Sequence, residues 1–458
     1  MQEKIKKERR FFGTDGIRGV ASVPPLDPES LVRLGKSIAR QFLGRGRKHR
    51  ILIGKDTRLS GYMIETSLAA GITSMGADVL LCGPIPTPGV AYLTRSMRAD
   101  AGIMISASHN AYEDNGIKIF GADGFKLPDE LELQIEALME PGALEGKGAA
   151  PSEIGKAQRI NDAVGRYTVY LKGSFPREIG LDGVKIGVDC ANGAGYVVTP
   201  LAFTELGAEV VSRGVSPNGR NINAGFGSLF PEVVSKLVAE YTLDVGVALD
   251  GDGDRAMFSD EKGALIDGDV VLAILGKDLK ERGLLTNNVV VGTVMSNLGL
   301  DVYFSELGIK LARTAVGDRY VLEEMRKLNA CLGGEQSGHV ILSNYSTSGD
   351  GTLTALAVLS VMLRSGKPLS ALAADFKRFP QKLISIPVSR KPPLDSLEQL
   401  QRLIHEKEKT LGERGRVLVR YSGTENKVRV MVECEDEDSC RQHADDLVEV
   451  VEREIGAL

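Results

Sequence analysis

The strongest constraint on this 458-residue chain is that it repeats itself three times. Near Arg50 a β-rich run, RILIGKDTRLSG, leads into a helical pattern, then GADVLLCGPIPTP, then DAGIMISASHN, a polar loop and GIKIF. From Lys185 the order recurs as KIGVDCANGAG, GAEVVSRGVSPNG and LDVGVALDGDGDRAMFS. From Asn288 it recurs as VVVGTVMSNLG, GIKLARTAVGDRY and ACLGGEQSGHVILS. Each unit reads strand, helix, strand, helix, strand, tight loop, strand. Alternation of this kind predicts mostly parallel sheets covered by helices, each closed by an antiparallel strand.

The tail breaks the pattern. ISIPVSRKPP, an amphipathic stretch SLEQLQRLIHEKEK, then GRVLVRYSGTENKVRVMVE and a last helix predict a small α+β domain with a hairpin-like turn at SGTEN. The Gly/Pro-rich stretch 140–157 reads as a linker. The expected architecture is three similar mixed-sheet α/β domains, 1–157, 158–257 and 258–378, plus an α+β domain 379–458, around one central cleft.

Composition narrows the class. The 56 basic and 61 acidic side chains leave a net charge of −5, which excludes a strongly basic nucleic-acid binder and gives no support for a membrane-surface protein. The longest apolar stretch, Ala355 to Leu363, is too short to span a bilayer. Five cysteines without a CxxC pair fit a reducing cytoplasm, and no signal peptide is indicated. Glycine is the outlier at 53 residues, against a typical share of about 7%. Many glycines mean many places where backbone turns tightly or approaches a ligand.

In such sheets ligands meet the loops at the carboxyl ends of strands. Three loops occupy equivalent positions: Ser106–Gly116, Asp250–Arg255 and Gly333–His339. The second, DGDGDR, converges Asp250, Asp252 and Asp254 beside a buried strand. That arrangement is costly without a cation and favours Mg²⁺ where a phosphate oxygen completes the shell. An EF-hand is rejected because Arg255 stands where that loop needs glycine. In the first loop Ser108 follows a buried strand without a GxSxG elbow, so phosphoryl chemistry fits better than a serine hydrolase. His109 reads as a general base or as a bland loop histidine. A phosphoserine beside three carboxylates needs cations, and Lys118, Arg255 and Arg18 are the candidates. The third loop, GGEQSGH, offers Glu335, Ser337 and His339 to sugar hydroxyls or an amine. In the tail, Arg420, Ser422, Thr424 and Arg429 around a glycine turn suit a phosphate monoester. FGTDGIRG adds Thr14, Asp15 and Arg18.

Taken in order, FGTDGIRG, ISASHNAYEDNGIKIF, DGDGDR, VGDRY, GGEQSGH and RYSGTEN resemble the α-D-phosphohexomutase superfamily over nearly the whole chain. FGTDGIRG, VGDRY and GGEQSGH together look most like its amino-sugar branch. The resemblance implies an isomerase with Ser108 phosphorylated and one Mg²⁺ per site on Asp250, Asp252, Asp254 and the Ser108 phosphate. Glu335 and Ser337 would contact the sugar. Arg420, Ser422, Gly423, Thr424 and Arg429 would hold the non-reacting phosphate. Lys118, His109 and His339 would share the acid/base work. The implied reaction interconverts glucosamine 6-phosphate and glucosamine 1-phosphate through glucosamine 1,6-bisphosphate, feeding UDP-N-acetylglucosamine and cell-envelope synthesis. A phosphomannomutase/phosphoglucomutase is the alternative. Partners are then small sugar phosphates, and the resemblance allows a homodimer and an activating kinase or autophosphorylation. Ala111 and Asn426 stand where the family commonly has proline, which affects loop stiffness more than chemistry.

Overall fold

The computed structural model describes residues 10–13, 15–44, 47–422 and 426–456. Two compact units divide the chain. The first comprises residues 1–294 and 312–373, the second 295–311 and 374–458.

Three sheets belong to the repeats. The first contains β1 (Phe12–Gly13), β2 (Gly16–Val20), β3 (Arg50–Lys55), β4 (Asp78–Pro84), β5 (Ala101–Ile105), β6 (Asp114–Gly121) and β7 (Ala157–Arg159), ordered β1-β2-β6-β5-β3-β4-β7. The second contains β8 (Lys185–Asp189), β9 (Glu209–Arg213), β10 (Val245–Leu249), β11 (Ala256–Asp260) and β12 (Leu265–Ile266), ordered β12-β11-β10-β8-β9. The third contains β13 (Val289–Thr293), β14 (Lys310–Thr314), β15 (Leu332–Gly334) and β16 (Val340–Leu342), ordered β14-β13-β15-β16.

The same four-strand motif therefore lies inside each sheet: β6-β5-β3-β4, β11-β10-β8-β9 and β16-β15-β13-β14. The closing strand is antiparallel in every case. The expected α/β class with repeated mixed sheets is what folds. Apolar runs such as ILI in β3 and GIMI in β5 are buried throughout, as parallel strands covered on both faces must be. One face of the first sheet packs Ile51, Ile53, Ile103 and Ile105 against Leu31, Leu34, Ile38, Ile64, Leu68 and Ile72 from helices Pro28–Phe42 and Ser60–Ser74. Burying each such side chain stabilises the fold by about 1.5–3 kcal/mol. Asp27 starts the first of these helices by accepting the Ser30 N–H at 3.0 Å, ahead of Pro28 at the first turn.

The second unit carries an antiparallel sheet of β17 (Gln381–Pro387), β18 (Gly415–Tyr421) and β19 (Lys427–Cys434), ordered β17-β19-β18. Helices Glu398–Leu411 and Glu437–Ile455 cover it, with Leu400, Leu447, Val451, Val430 and Val432 in its core. Helix Leu298–Glu306 belongs to this unit as well. Its cap Asn297 accepts the Gly299 N–H at 3.0 Å and exchanges hydrogen bonds with the Phe379 backbone, while buried Glu433 accepts the Leu298 N–H at 3.2 Å. The tail is α+β, as its sequence predicts. No helix among the described residues is long and apolar enough to cross a membrane.

Candidate active site

The last pairs before each third strand ends, Ile105↔Ile117, Leu249↔Ala256 and Gly334↔Val340, put the three expected loops at the carboxyl ends of β5, β10 and β15. Backbone hydrogen bonds then stitch the loops within the first unit. Thr87 N–H donates to Asp252 O at 2.9 Å, Ala256 N–H to Gly338 O at 3.1 Å, and Gly351 N–H to Gly253 O at 3.0 Å. Two glycines permit this approach. A Cβ on Gly251 would lie 2.5 Å from Ser108 O, and one on Gly338, whose φ is +90°, would lie 2.4 Å from Ala256 O.

Ser108, Asp250, Asp252, Asp254, Lys118, Arg255, Arg18, His109, His339 and Glu335 come together here. The Ser108 hydroxyl donates to Asp250 Oδ2 at 2.6 Å and lies 3.4 Å from His109 Nδ1. Oxygens of Asp250, Asp252 and Asp254 gather within 4.8 Å of one another, all buried. Asp252 Oδ1 and Asp254 Oδ1 have no hydrogen-bond partner among the described residues. Buried carboxylate oxygens left without donors fit a hard divalent cation with oxygen ligands. Thr87 Oγ1 donates to Asp252 Oδ2 at 2.6 Å.

Electrostatics sorts these groups. Burial, then repulsion from Asp254 and Asp252, raises Asp250 well above the usual carboxylate range. Burial pushes Asp254 up too, but Lys118, His339 and Arg255 outweigh it and hold the carboxyl well below its ordinary value. Asp252 is also lowered; burial and Asp254 raise it, and Lys118 with the Thr87 hydroxyl overcomes them. Burial and mutual repulsion thus fall hardest on Asp250, a cost that a bound cation would relieve. Lys118 Nζ, itself buried, lies 3.0 Å from Asp252, 3.2 Å from Asp15 and 3.5 Å from Asp254. Burial disfavours its charge, yet these carboxylates raise its pKa well above normal, so it remains an ammonium. His109 goes the other way. Burial, Arg255 and Arg18 lower it to about 4, leaving a neutral imidazole beside the hydroxyl.

Glu335 accepts the Gly317 N–H at 2.9 Å, which ties GGEQSGH to VGDRY, while Ser337 is exposed. His339 Nδ1 lies 3.6 Å from Asp254, and its Nε2 accepts the Gly349 N–H at 3.1 Å. Burial opposes its protonation, but Asp254 and Asp318 raise its pKa. Arg18 is anchored by Asp15 at 2.6 Å and donates to Ala107 O at 3.0 Å, bracing the Ser108 loop.

Sequence reasoning did not single out Lys126 or Asp318. Lys126 is sandwiched between Asp15 and Asp318, extending the charge chain from Lys118 toward His339. Nor did it single out Arg58, Asp56 and Asn223, which surround the Ser108 backbone. The polar run KDTR at the carboxyl end of β3 was a signal for the first two. Asn223 lies in a loop with no pattern to betray it.

In the second unit, Arg420 and Arg429 sit directly opposite each other on β18 and β19. Burial and the Arg429 charge lower the Arg420 pKa. Two facing guanidiniums are destabilising unless an anion lies between them. Buried Ser422 donates its N–H to Lys427 O at 2.9 Å. Gly423 and Thr424, also expected at this turn, lie outside the described residues.

Profiles of the phosphoglucomutase/phosphomannomutase family match in order: α/β/α domain I at residues 9–145, domain II at 166–263, domain III at 267–379 and the C-terminal domain at 383–450. A phosphoglucosamine mutase of Syntrophotalea carbinolica is 52% identical, with 98% of each chain covered. That of Geobacter metallireducens is 53% identical over 98% of this chain and 99% of its own. Solved structures share the fold. A phosphoglucomutase/phosphomannomutase family protein from Burkholderia thailandensis superposes with TM-score 0.81 at 22% identity, covering 98% of this chain and 99% of its own. An Aspergillus fumigatus N-acetylphosphoglucosamine mutase, solved with GlcNAc-6P and magnesium, gives 0.65 at 16%, covering 97% and 96%. The chain belongs to the phosphoglucomutase/phosphomannomutase family, the α-D-phosphohexomutases.

Proposed function

We propose that this chain interconverts glucosamine 6-phosphate and glucosamine 1-phosphate, with Ser108 as the phosphoryl carrier. The observation that carries the reading is the Ser108 hydroxyl held on Asp250 inside a buried three-carboxylate cluster faced by Lys118. The amino-sugar assignment leans on full-length relatives at 52–53% identity that are phosphoglucosamine mutases.

The phosphorylated serine donates its phosphoryl group to the free hydroxyl of the sugar monophosphate. The serine P–O bond breaks, a sugar O–P bond forms, the sugar hydroxyl proton leaves to a base, and the departing serine oxygen takes up a proton to become a hydroxyl again. A 1,6-bisphosphate results. It reorients, and the Ser108 hydroxyl takes back the phosphoryl group from the other end. Neutral His109 borders the Ser108 hydroxyl but is a weak base with its pKa lowered to about 4, whereas Lys118 and Arg255 hold fixed positive charge against the phosphoryl oxygens. Asp250, Asp252 and Asp254 would bind Mg²⁺, which when bound neutralises charge on the transferring group. Glu335 and Ser337 would meet the sugar, and Arg420, Ser422, Gly423, Thr424 and Arg429 the non-reacting phosphate. The five cysteines, all free and buried, fit a reducing cytoplasm.

The test is turnover on a panel of glucosamine, glucose and mannose phosphates, paired with intact-mass analysis of Ser108. Strong preference for the amino sugar and a phosphate on Ser108 support the reading. Equal or better turnover of mannose or glucose phosphates would instead favour the phosphomannomutase/phosphoglucomutase alternative, consistent with the family's name.

A further inference from the structure

Ser108 sits in the left-handed region with φ +52°. A residue with a β-carbon persists there only where its surroundings over-determine it. The Ser108 N–H donates to Ser106 Oγ at 2.9 Å, and its carbonyl accepts from Arg58 Nη2 and Asn223 Nδ2, each at 2.9 Å. Both donors also reach Asn110 O, at 3.0 and 2.9 Å, and Arg58 Nη1 donates to Ala111 O. On its other edge the Arg58 Nε–H donates to Asp56 Oδ2 at 2.8 Å. Asp56 also accepts the Arg58 N–H at 2.9 Å and the Ser106 hydroxyl at 2.6 Å. The ring closes on itself: Ser108 N–H to Ser106, Ser106 to Asp56, Arg58 to Asp56, Arg58 to Ser108 O. Arg58 and Asp56 are wholly buried, and none of the hydrogen bonds made by the Arg58 side chain points at the carboxylate cluster.

We propose that Arg58, assisted by Asn223, is a positioning residue for phosphoryl transfer: it clamps the carbonyls of Ser108, Asn110 and Ala111 directly and the Ser108 N–H through Asp56 and Ser106, leaving only the side-chain torsion free to aim Oγ. The task suits a guanidinium, whose rigid planar fork spans one carboxylate and three carbonyls, where an ammonium offers donors from a single point. Asn223 adds a hold from the second repeat, so the serine is fixed relative to the DGDGDR loop as well as to its own strand. This inference rests on the reading of Ser108 as phosphoryl carrier and adds what keeps its geometry.

The experiment uses the full-length enzyme and three variants: Arg58→Lys, Asn223→Ala and, as a stability control, Ile64→Val in the core of the same repeat. Each is charged with a hexose 1,6-bisphosphate and mixed with sugar monophosphate, and single-turnover transfer from Ser108 is followed by rapid quench alongside steady-state kinetics. Since a misplacement near 1 Å costs on the order of 100-fold, Arg58→Lys should lower kcat and the transfer rate by ~30- to 100-fold and Asn223→Ala by ~10-fold, with KM changed by less than about 3-fold. Ile64→Val should lower the melting temperature and leave kcat alone. The clamp is overturned if both site variants keep wild-type transfer rates, or lose activity only in proportion to unfolded protein. Should Arg58→Lys fail to fold, Asn223→Ala decides alone. If the wild-type enzyme carries no phosphate on Ser108, the carrier reading falls and the clamp falls with it, a result distinct from intact wild-type transfer with indifferent variants.

Discussion

Ser108 Oγ and Asp250 Oδ2, contributed by loops 142 residues apart in sequence, share a hydrogen bond of 2.6 Å. The proposed phosphoryl carrier of one repeat is thereby registered against the carboxylate cluster of the next. Removing the hydroxyl removes the group proposed to carry the phosphoryl group. Ser108→Ala is expected to lower turnover by at least about 10³-fold while leaving the melting curve within ~1 kcal/mol of wild type. A coupled assay with circular dichroism measures both, and retained mutase turnover would refute the carrier role.

The carboxylate cluster should respond to divalent cations as a stability element. Three carboxyl groups buried close together are relieved by a cation that binds only the folded state. Mg²⁺ at about 100 times its dissociation constant is therefore expected to add ~2.7 kcal/mol to unfolding. Asp252→Asn should shrink that gain, and chelation should abolish turnover reversibly. A thermal-shift titration checks it; a melting curve indifferent to Mg²⁺ would count against the site.

Asp350, beside the DGDGDR loop, predicts a further pH dependence. It caps helix Gly351–Ser365 by accepting the Leu353 N–H at 3.0 Å, and it accepts the Tyr167 hydroxyl at 2.5 Å. Burial raises its pKa from 3.8 to about 6 despite those donors. The folded state then binds more protons than the unfolded state between these values, so stability falls as pH rises through that window and stays lower above it. At about 1.4 kcal/mol per unit the loss is at most ~3 kcal/mol. Asp350→Asn keeps the cap and should flatten this slope. Urea unfolding at pH 5 and pH 7.5 on both proteins tests it, and equal slopes would reject it.

Facing guanidiniums at Arg420 and Arg429 predict an anion-dependent KM. A charge-assisted hydrogen bond contributes about 1.5–3 kcal/mol, so either arginine changed to alanine is expected to raise KM for the sugar phosphate by ~10- to 100-fold. For Arg420→Ala, stability should be unchanged or slightly higher, because one of two facing like charges is removed. Substrate saturation curves and thermal melts decide it. An unaltered KM would place the phosphate elsewhere.

His109 is expected to be neutral at pH 7, titrating near 4 because burial, Arg255 and Arg18 all oppose its charge. Its folded pKa lies below the ordinary 6.5, so stability is lost as pH falls from 6.5 toward 4. Proton NMR of the imidazole reports this directly, and a midpoint near 6.5 would exclude it.

The sequence by itself determined the repeat, the mixed α/β class and the α+β tail, because strand and helix periodicities are local properties of the chain. It also picked out Ser108, DGDGDR and GGEQSGH as candidates, since reactive side chains and tight glycine turns are visible in one dimension. Only the tertiary structure decided which charges face one another. Lys118 meets Asp15, Asp252 and Asp254, and Lys126 bridges Asp15 and Asp318, through backbone stitches between repeats that no periodicity encodes. The same holds for Arg58 and Asn223 around Ser108, which read in sequence as ordinary polar loop residues. Electrostatic and hydrogen-bond partners act across space over a few ångströms, and the sequence separations here, 50 and 115 residues, are bridged only by the packed fold.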